Sequence, residues 1–175
     1  MKAAGFFIAF LALAAGLLPA QQVKWNFDKL AARASDSTEV SLDGALLQLG
    51  AKFLSDDDKD QAKIKKLVGG LKGIYIKTFE FKKPGEYSAS DVEPFRAPLH
   101  APEWQRIVGT HSNEDGESVE VYIKNDSKGI GGLVIISTAP KELTLVNIVG
   151  AVDLDSLSEL GKHFDFPEVE VEKKK

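Results

Sequence analysis

Hydrophobic residues recur every three to four positions over most of the chain before Trp104, interrupted by two strand-like runs, and every second position from Trp104 to Gly150. That change of period separates the elements it predicts. Asn26 is placed to cap a short helix with Phe27, Leu30, Ala31 and Ala34 at helical spacing. Residues 38–42 alternate as a strand does, with Val40 and Leu42 on one face. Asp43 then caps a helix over 44–54, whose Leu46, Leu49, Phe53 and Leu54 fall along one side. The aspartates of 55–58 open a third helix, where negative charge meets the positive end of the macrodipole. Ile64, Leu67 and Val68 form its stripe, and Gly69-Gly70 is expected to stop it. Residues 73–82 read as a strand rich in β-branched and aromatic side chains, ended by Pro84-Gly85. Ser90-Asp91-Val92-Glu93 reads as a capping box with Pro94 in the first turn, starting a short helix that ends near Pro98.

From Trp104 onward the period is two. Four strand-like runs, 104–111, 117–124, 132–138 and 142–150, are joined by connections too short for a crossover. The prediction is a four-stranded antiparallel meander, and the fold class is α+β, mostly antiparallel sheet flanked by helices. Val119, Val121 and Ile123 alternate with Glu120, Tyr122 and Lys124. One face of that strand is therefore expected to be packed and the other at least partly wet. On this reading, Glu120→Gln changes stability by less than about 0.5 kcal/mol. Residues 133–136 are apolar on both faces, so their strand should be central. Asp153 or Asp155 caps a last helix carrying Leu154, Leu157, Leu160 and Phe164, and Pro167 opens a charged tail.

The N-terminus changes the picture. Lys2 precedes an almost wholly apolar run over 3–18, and Leu18-Pro19-Ala20 puts a helix breaker and a small residue before Gln21. Residues 1–20 thus have the layout of a secretory signal peptide, with a retained membrane anchor as the alternative. The expected organisation is a signal peptide over 1–20, one α+β domain over 23–166 and a charged tail over 167–175. No later segment is long and apolar enough to span a bilayer. The chain has no cysteine, which excludes a lipid-anchoring cysteine, disulfides and thiolate metal sites. The expected address is exported, periplasmic or extracellular, and not lipid-anchored.

Of the 175 residues, 43% are hydrophobic and 27% charged, an ordinary globular balance. With 22 Lys and Arg against 26 Asp and Glu and no long basic block, nucleic-acid binding is not expected. Motifs for chemistry fail at definite positions. Asp56, Asp58 and Asp60 have calcium-loop spacing, but Gln61 stands where the turn needs Gly and Leu67 where a bidentate Glu is needed. Gly129-Ile130-Gly131-Gly132 joins two strands instead of opening a helix. His100, His111 and His163 are not paired at helical zinc spacing, and His111 near Glu114 and Asp115 reads as a turn histidine. No catalytic residue, metal ligand or cofactor is predicted.

In order along the chain, the apolar leader and five segments carry a family resemblance: Val40-Ser41-Leu42-Asp43-Gly44; the strand from Gly73 to Phe81; Trp104-Gln105-Arg106-Ile107-Val108; Glu120-Val121-Tyr122-Ile123-Lys124; and the strand from Glu142 to Gly150 with Asp153-Leu154-Asp155-Ser156-Leu157 after it. Together they resemble the bacterial exported proteins grouped as domain-of-unknown-function family 4252. The resemblance implies export and one α+β domain, and brings no activity or site residues to carry over.

What remains is a choice between two classes. The favoured one is a non-catalytic binding or interaction module of the bacterial cell envelope, with an envelope protein or a second copy of the chain as partner. The alternative is a hydrolase or metal-dependent enzyme with a site assembled from distant residues. Trp104, Arg106 and Tyr122 are the candidate partner surface, since aromatic and Arg side chains anchor interfaces most often. They are expected to share one exposed sheet face.

Overall fold

A computed structural model describes residues 22–127 and 129–152. The leader, the last predicted helix and the charged tail lie outside the described residues. The elements run α1 (Asp28–Ala31), β1 (Asp36–Asp43), α2 (Gly44–Ala51), α3 (Lys59–Gly70), β2 (Leu71–Glu80), α4 (Ala89–Arg96), β3 (Trp104–His111), β4 (Ser118–Asp126), β5 (Gly129–Ala139) and β6 (Glu142–Gly150). All six strands join one antiparallel sheet in the order β1-β2-β6-β5-β4-β3. The fold is α+β. The meander β3 to β6 forms as its short connections require, and β2 adds to the free side of β6. That addition makes β6 and β5 the central pair, which is where the doubly apolar run of β5 belongs.

Asp43 ends β1 and begins α2 at once: its carboxylate accepts from Leu46 N at 2.9 Å. Asp58 caps α3 by accepting from the N–H groups of Asp60 and Gln61, and these bonds hold its carboxyl below the ordinary range. The expected stop at Gly69-Gly70 is taken: α3 ends at Gly70, and Leu71 is already extended. The two glycines form its last positions, and the chain passes from them into β2 without a loop. Gly150 lets β6 end against this junction: with φ 124°, it sits where a Cβ would lie 2.5 Å from the Gly70 carbonyl oxygen.

The sheet has two faces of different character. On the first, Phe79, Val134, Ile136, Leu143 and Leu145 are buried beneath α1, α4 and the segment before α1. Val23, Trp25 and Phe27 of that segment pack on the same cluster. Trp25 donates its indole N–H to the Phe95 carbonyl, and Val23 N–H reaches Oδ1 of buried Asn147 at 3.0 Å. Arg33 and Asp91 tie the chain after α1 to α4 at 2.6 Å. The second face carries Val121, Ile123, Leu133, Val146 and Ile148, joined at one end by Leu47 of α2 and Leu71.

Two sequence expectations fail here for local reasons. The capping box at the start of α4 uses Ser88 and Asp91, two residues earlier than the Ser90–Glu93 pair. Asp91 accepts from Ser88 N at 2.9 Å and is fixed by Arg33 on its other side, a partner Glu93 lacks. On α2 the sheet takes Leu47 and Ala51, leaving Leu46, Leu49 and Phe53 exposed. The helix follows β1 without a loop, so the strand's last residue sets which side faces inward.

Candidate interaction surface

The register places Trp104 opposite Lys124 and Arg106 opposite Tyr122. All three candidate side chains therefore stand on the face that α4 covers. They do not form an exposed surface. Trp104 and Tyr122 are each 7% exposed and belong to the core cluster with Phe95 and Leu99, and only Arg106 is exposed. The expectation of a wet face on β4 is corrected with them, since Glu120 is also 7% exposed. The reason is tertiary: α4 and the N-terminal segment lie over the side that alternation marks as polar.

Glu120 is at the centre of a fully tied group. Arg96, at the end of α4, donates from Nε to both carboxylate oxygens at 2.9 and 3.2 Å and from Nη2 at 2.6 Å. Its Nη1 reaches Glu93 at 2.7 Å. The Tyr122 hydroxyl donates to Glu120 Oε2 at 2.6 Å. Burial works to raise the Glu120 carboxyl, but these hydrogen bonds and the charges of Arg96 and Arg106 outweigh it and hold the group below its ordinary value. Burial and the bond to Glu120 push the Tyr122 phenol up to about 12. Burial works against the charge of Arg96, yet its two glutamates hold it above its usual value. The Arg96–Glu120 fork fastens α4 to the sheet. Sequence reasoning passed over Glu120 and Arg96, and the one available signal was a carboxylate among strand residues with an Arg at a helix end.

The histidines occupy plainer places. His100 and His111 are exposed, and in the hairpin after His111 the Asp115 carboxylate accepts from Ser112 Oγ at 3.1 Å. His163 lies outside the described residues. Among the described residues, no group of three or more His, Asp or Glu could hold a metal ion, and no helix is long and apolar enough to cross a membrane.

The exposed apolar chemistry lies on the second face and its β1 edge. Val40, Ile76, Val146, Ile135, Val121 and Val108 are register partners in succession, so one row of β-branched side chains crosses all six strands. Beside it runs a hydroxyl-rich row, Thr38, Thr78, Thr144, Ser137, Val119 and Thr110, with Thr78 and Thr144 hydroxyls 3.1 Å apart. On the other flank, Leu42, Ile74, Ile148, Leu133 and Ile123 lead to α2. Ile76, Ile135, Val108 and Val119 are only half-buried, and Val40 and Leu42 are each 37% exposed. The edge strand β1 pairs on one side only, without a bulge, and all eight of its residues are exposed. At the other edge, β3 is broken by a register shift between Arg106 and Val108.

The class defined so far is an α+β domain built on one six-stranded antiparallel sheet, with helices on both faces and one edge left regular and open. Over residues 31–160, about three quarters of the chain, the sequence matches the family described as Domain of unknown function (DUF4252), and the chain belongs to that family. No curated protein and no solved structure matches it.

Proposed function

We propose that this protein is an exported, non-catalytic interaction module of the bacterial cell envelope that receives an extended segment of a partner protein along β1. The observation that carries the reading is the β1 edge: eight exposed residues, paired on one side and without a bulge. Such an edge offers a row of free backbone donors and acceptors to a further strand. Its charge selects the partner. Asp36, Glu39 and Asp43 stand along β1 with no Lys or Arg on that strand, Glu39 alone meeting a cation, Lys77 of β2, so a strand bearing Lys or Arg fits. A second copy does not, because full antiparallel pairing of two β1 strands would set Asp36 against Asp43 of the other copy. Export is supported by the leader pattern of residues 1–20.

The test is an NMR titration of the mature chain with extended eight-residue peptides that place Lys at alternating positions. Basic peptides are expected to shift the β1 amides, acidic ones to leave them unmoved, and Asp36→Lys/Glu39→Lys to invert that preference. Equal response to both peptides, or shifts confined to β3, would overturn the docking assignment. Intact mass of protein isolated from cells should correspond to a chain beginning at Gln21, and retention of Met1 would remove the export assignment.

A further inference from the structure

The half-covered face and the described chain end at the same place. Ala151 donates its N–H to the Gly70 carbonyl and Val152 to the Ile130 carbonyl, both at 3.0 Å. The main chain therefore leaves the sheet where α3 meets β2. Val152 is buried in the cluster that holds Leu47, Val121, Val146 and Ile148. The other end of the chain enters on the opposite face, where Val23 bonds to Asn147. Of the two terminal segments outside the described residues, the C-terminal one begins on the half-covered face.

That segment carries Leu154, Leu157, Leu160 and Phe164 at helical spacing behind Asp153 and Asp155. As a helix, residues 154–164 would be about 16 Å long. The three side-chain rows marked on β1 by Leu42, Val40 and Thr38 span about 13 Å along a strand. The family match continues to residue 160, so the family's sequence pattern runs on into this stripe. Tethering favours this occupant over a second copy, because a segment joined directly to Val152 meets the face at an effective concentration of about millimolar or more.

We propose that residues 154–164 form an amphipathic helix lying over β6, β5 and β4, with Leu157 and Leu160 seated on the row of Val146, Ile135 and Val121. The sheet is then closed on both faces by its own chain, α2 and α3 taking one end of the second face and this helix the remainder. The proposal is independent of the β1 docking edge, which involves backbone groups at the rim and not this row.

The absence of cysteine makes the test clean. Thiols are introduced in pairs, Leu157→Cys or Leu160→Cys with Ile135→Cys or Val108→Cys, in the full mature chain, and joined with a short bismaleimide. The expected result is a cross-link within one chain, seen as a monomer of altered mobility at low protein concentration. Cross-linked dimers would assign the face to a second copy, and folded protein that yields no cross-link would leave the face uncovered by this segment. Either result overturns the proposal. As a measurement that does not depend on any one pair, Leu157→Ser/Leu160→Ser is expected to lower Tm by about 10 °C. It should also raise hydrogen exchange at the β4 and β5 amides, and an unchanged Tm would count against the helix.

Discussion

The two faces of this sheet are made by the same strands, one residue apart, yet they solve burial differently. The face under α4 holds a carboxylate, a guanidinium and a phenol within hydrogen-bond distance, set among phenylalanines. The other face holds rows of Val, Ile and Leu bounded by hydroxyls. A buried charge is tolerated where another element supplies its partner, and Arg96 reaches Glu120 because α4 ends directly over β4. Where no helix brings a counter-charge, the strands keep to side chains that need none. Alternation along a strand thus separates two surfaces without saying which is wet.

The largest effect that would sharpen this contrast comes from placing a charge on the aliphatic side. Val121→Asp should cost about 3–5 kcal/mol, because nothing described on that face can pair the carboxylate; urea midpoints check it. Arg96→Ala attacks the same strand from the other side and should cost about 3 kcal/mol, since it leaves Glu120 buried without its fork. Equal midpoints for Arg96→Ala and wild type would mean that the ion pair contributes nothing to the closed face. Glu120→Gln keeps the shape but not the charge, and about 1–2 kcal/mol is expected, well above the change that a wet position would show.

The pH dependence of stability separates the faces by a different route: the buried shifted groups Glu120 and Tyr122 belong to the closed one, with Arg96 and Asp91 at its rim, whereas the lowered Asp58 on the other side is an exposed helix cap. The Tyr122 phenol is raised from 10.0 to about 12 in the fold. Its contribution is complete below pH 10 and is lost as the pH climbs toward the folded value. Tyr122→Phe should remove that alkaline loss. Glu120 and Asp91 are lowered, Asp91 chiefly by its hydrogen bond from Arg33. Their contributions are present above the ordinary carboxylate range and disappear as the pH falls through the folded values. Glu120→Gln should flatten the acid limb, and an unchanged limb in that variant would detach the carboxylate from acid unfolding. The smallest effect belongs to the rim: Glu39→Ala breaks an exposed pair with Lys77 at 3.0 Å and should stay within about 0.5 kcal/mol in thermal melts.

Local patterns in the sequence were enough to place β3 at residues 104–111 and β6 at 142–150, because turn residues and strict alternation bound them. The antiparallel meander followed from loop length alone. Pairing of β2 with β6 was not legible, since Ile76 and Val146 meet across a separation of 70 positions and no spacing records that contact. The same holds for the candidate surface. Trp104, Arg106 and Tyr122 do stand on one side of the sheet, yet the helix that hides two of them is fixed by Arg96 and Phe95, outside the strands. On α4, Ser88 and Ser90 each have an acid three residues on, and only the reach of Arg33 distinguishes them. The β1 edge was legible as a strand but not as an edge, because edge position is a property of the whole sheet.

The position of β6 has a consequence for how the molecule comes into being. Among the described residues it is the last strand, and it stands between β2 and β5, so β1 and β2 have no sheet pairing to the meander until it arrives. A chain that emerges from its N-terminus first presents the β1–β2 pair, connected through α2 and α3, and then the three-stranded β3–β5 meander, both with apolar side chains that β6 has yet to cover. Contacts of long sequence separation then form together, which makes for slow, late and cooperative closure. Until residue 150 is free, apolar side chains and strand edges stay uncovered, the condition in which chains aggregate. Completion of the core is therefore coupled to release of nearly the entire chain, the timing that the proposed export would call for.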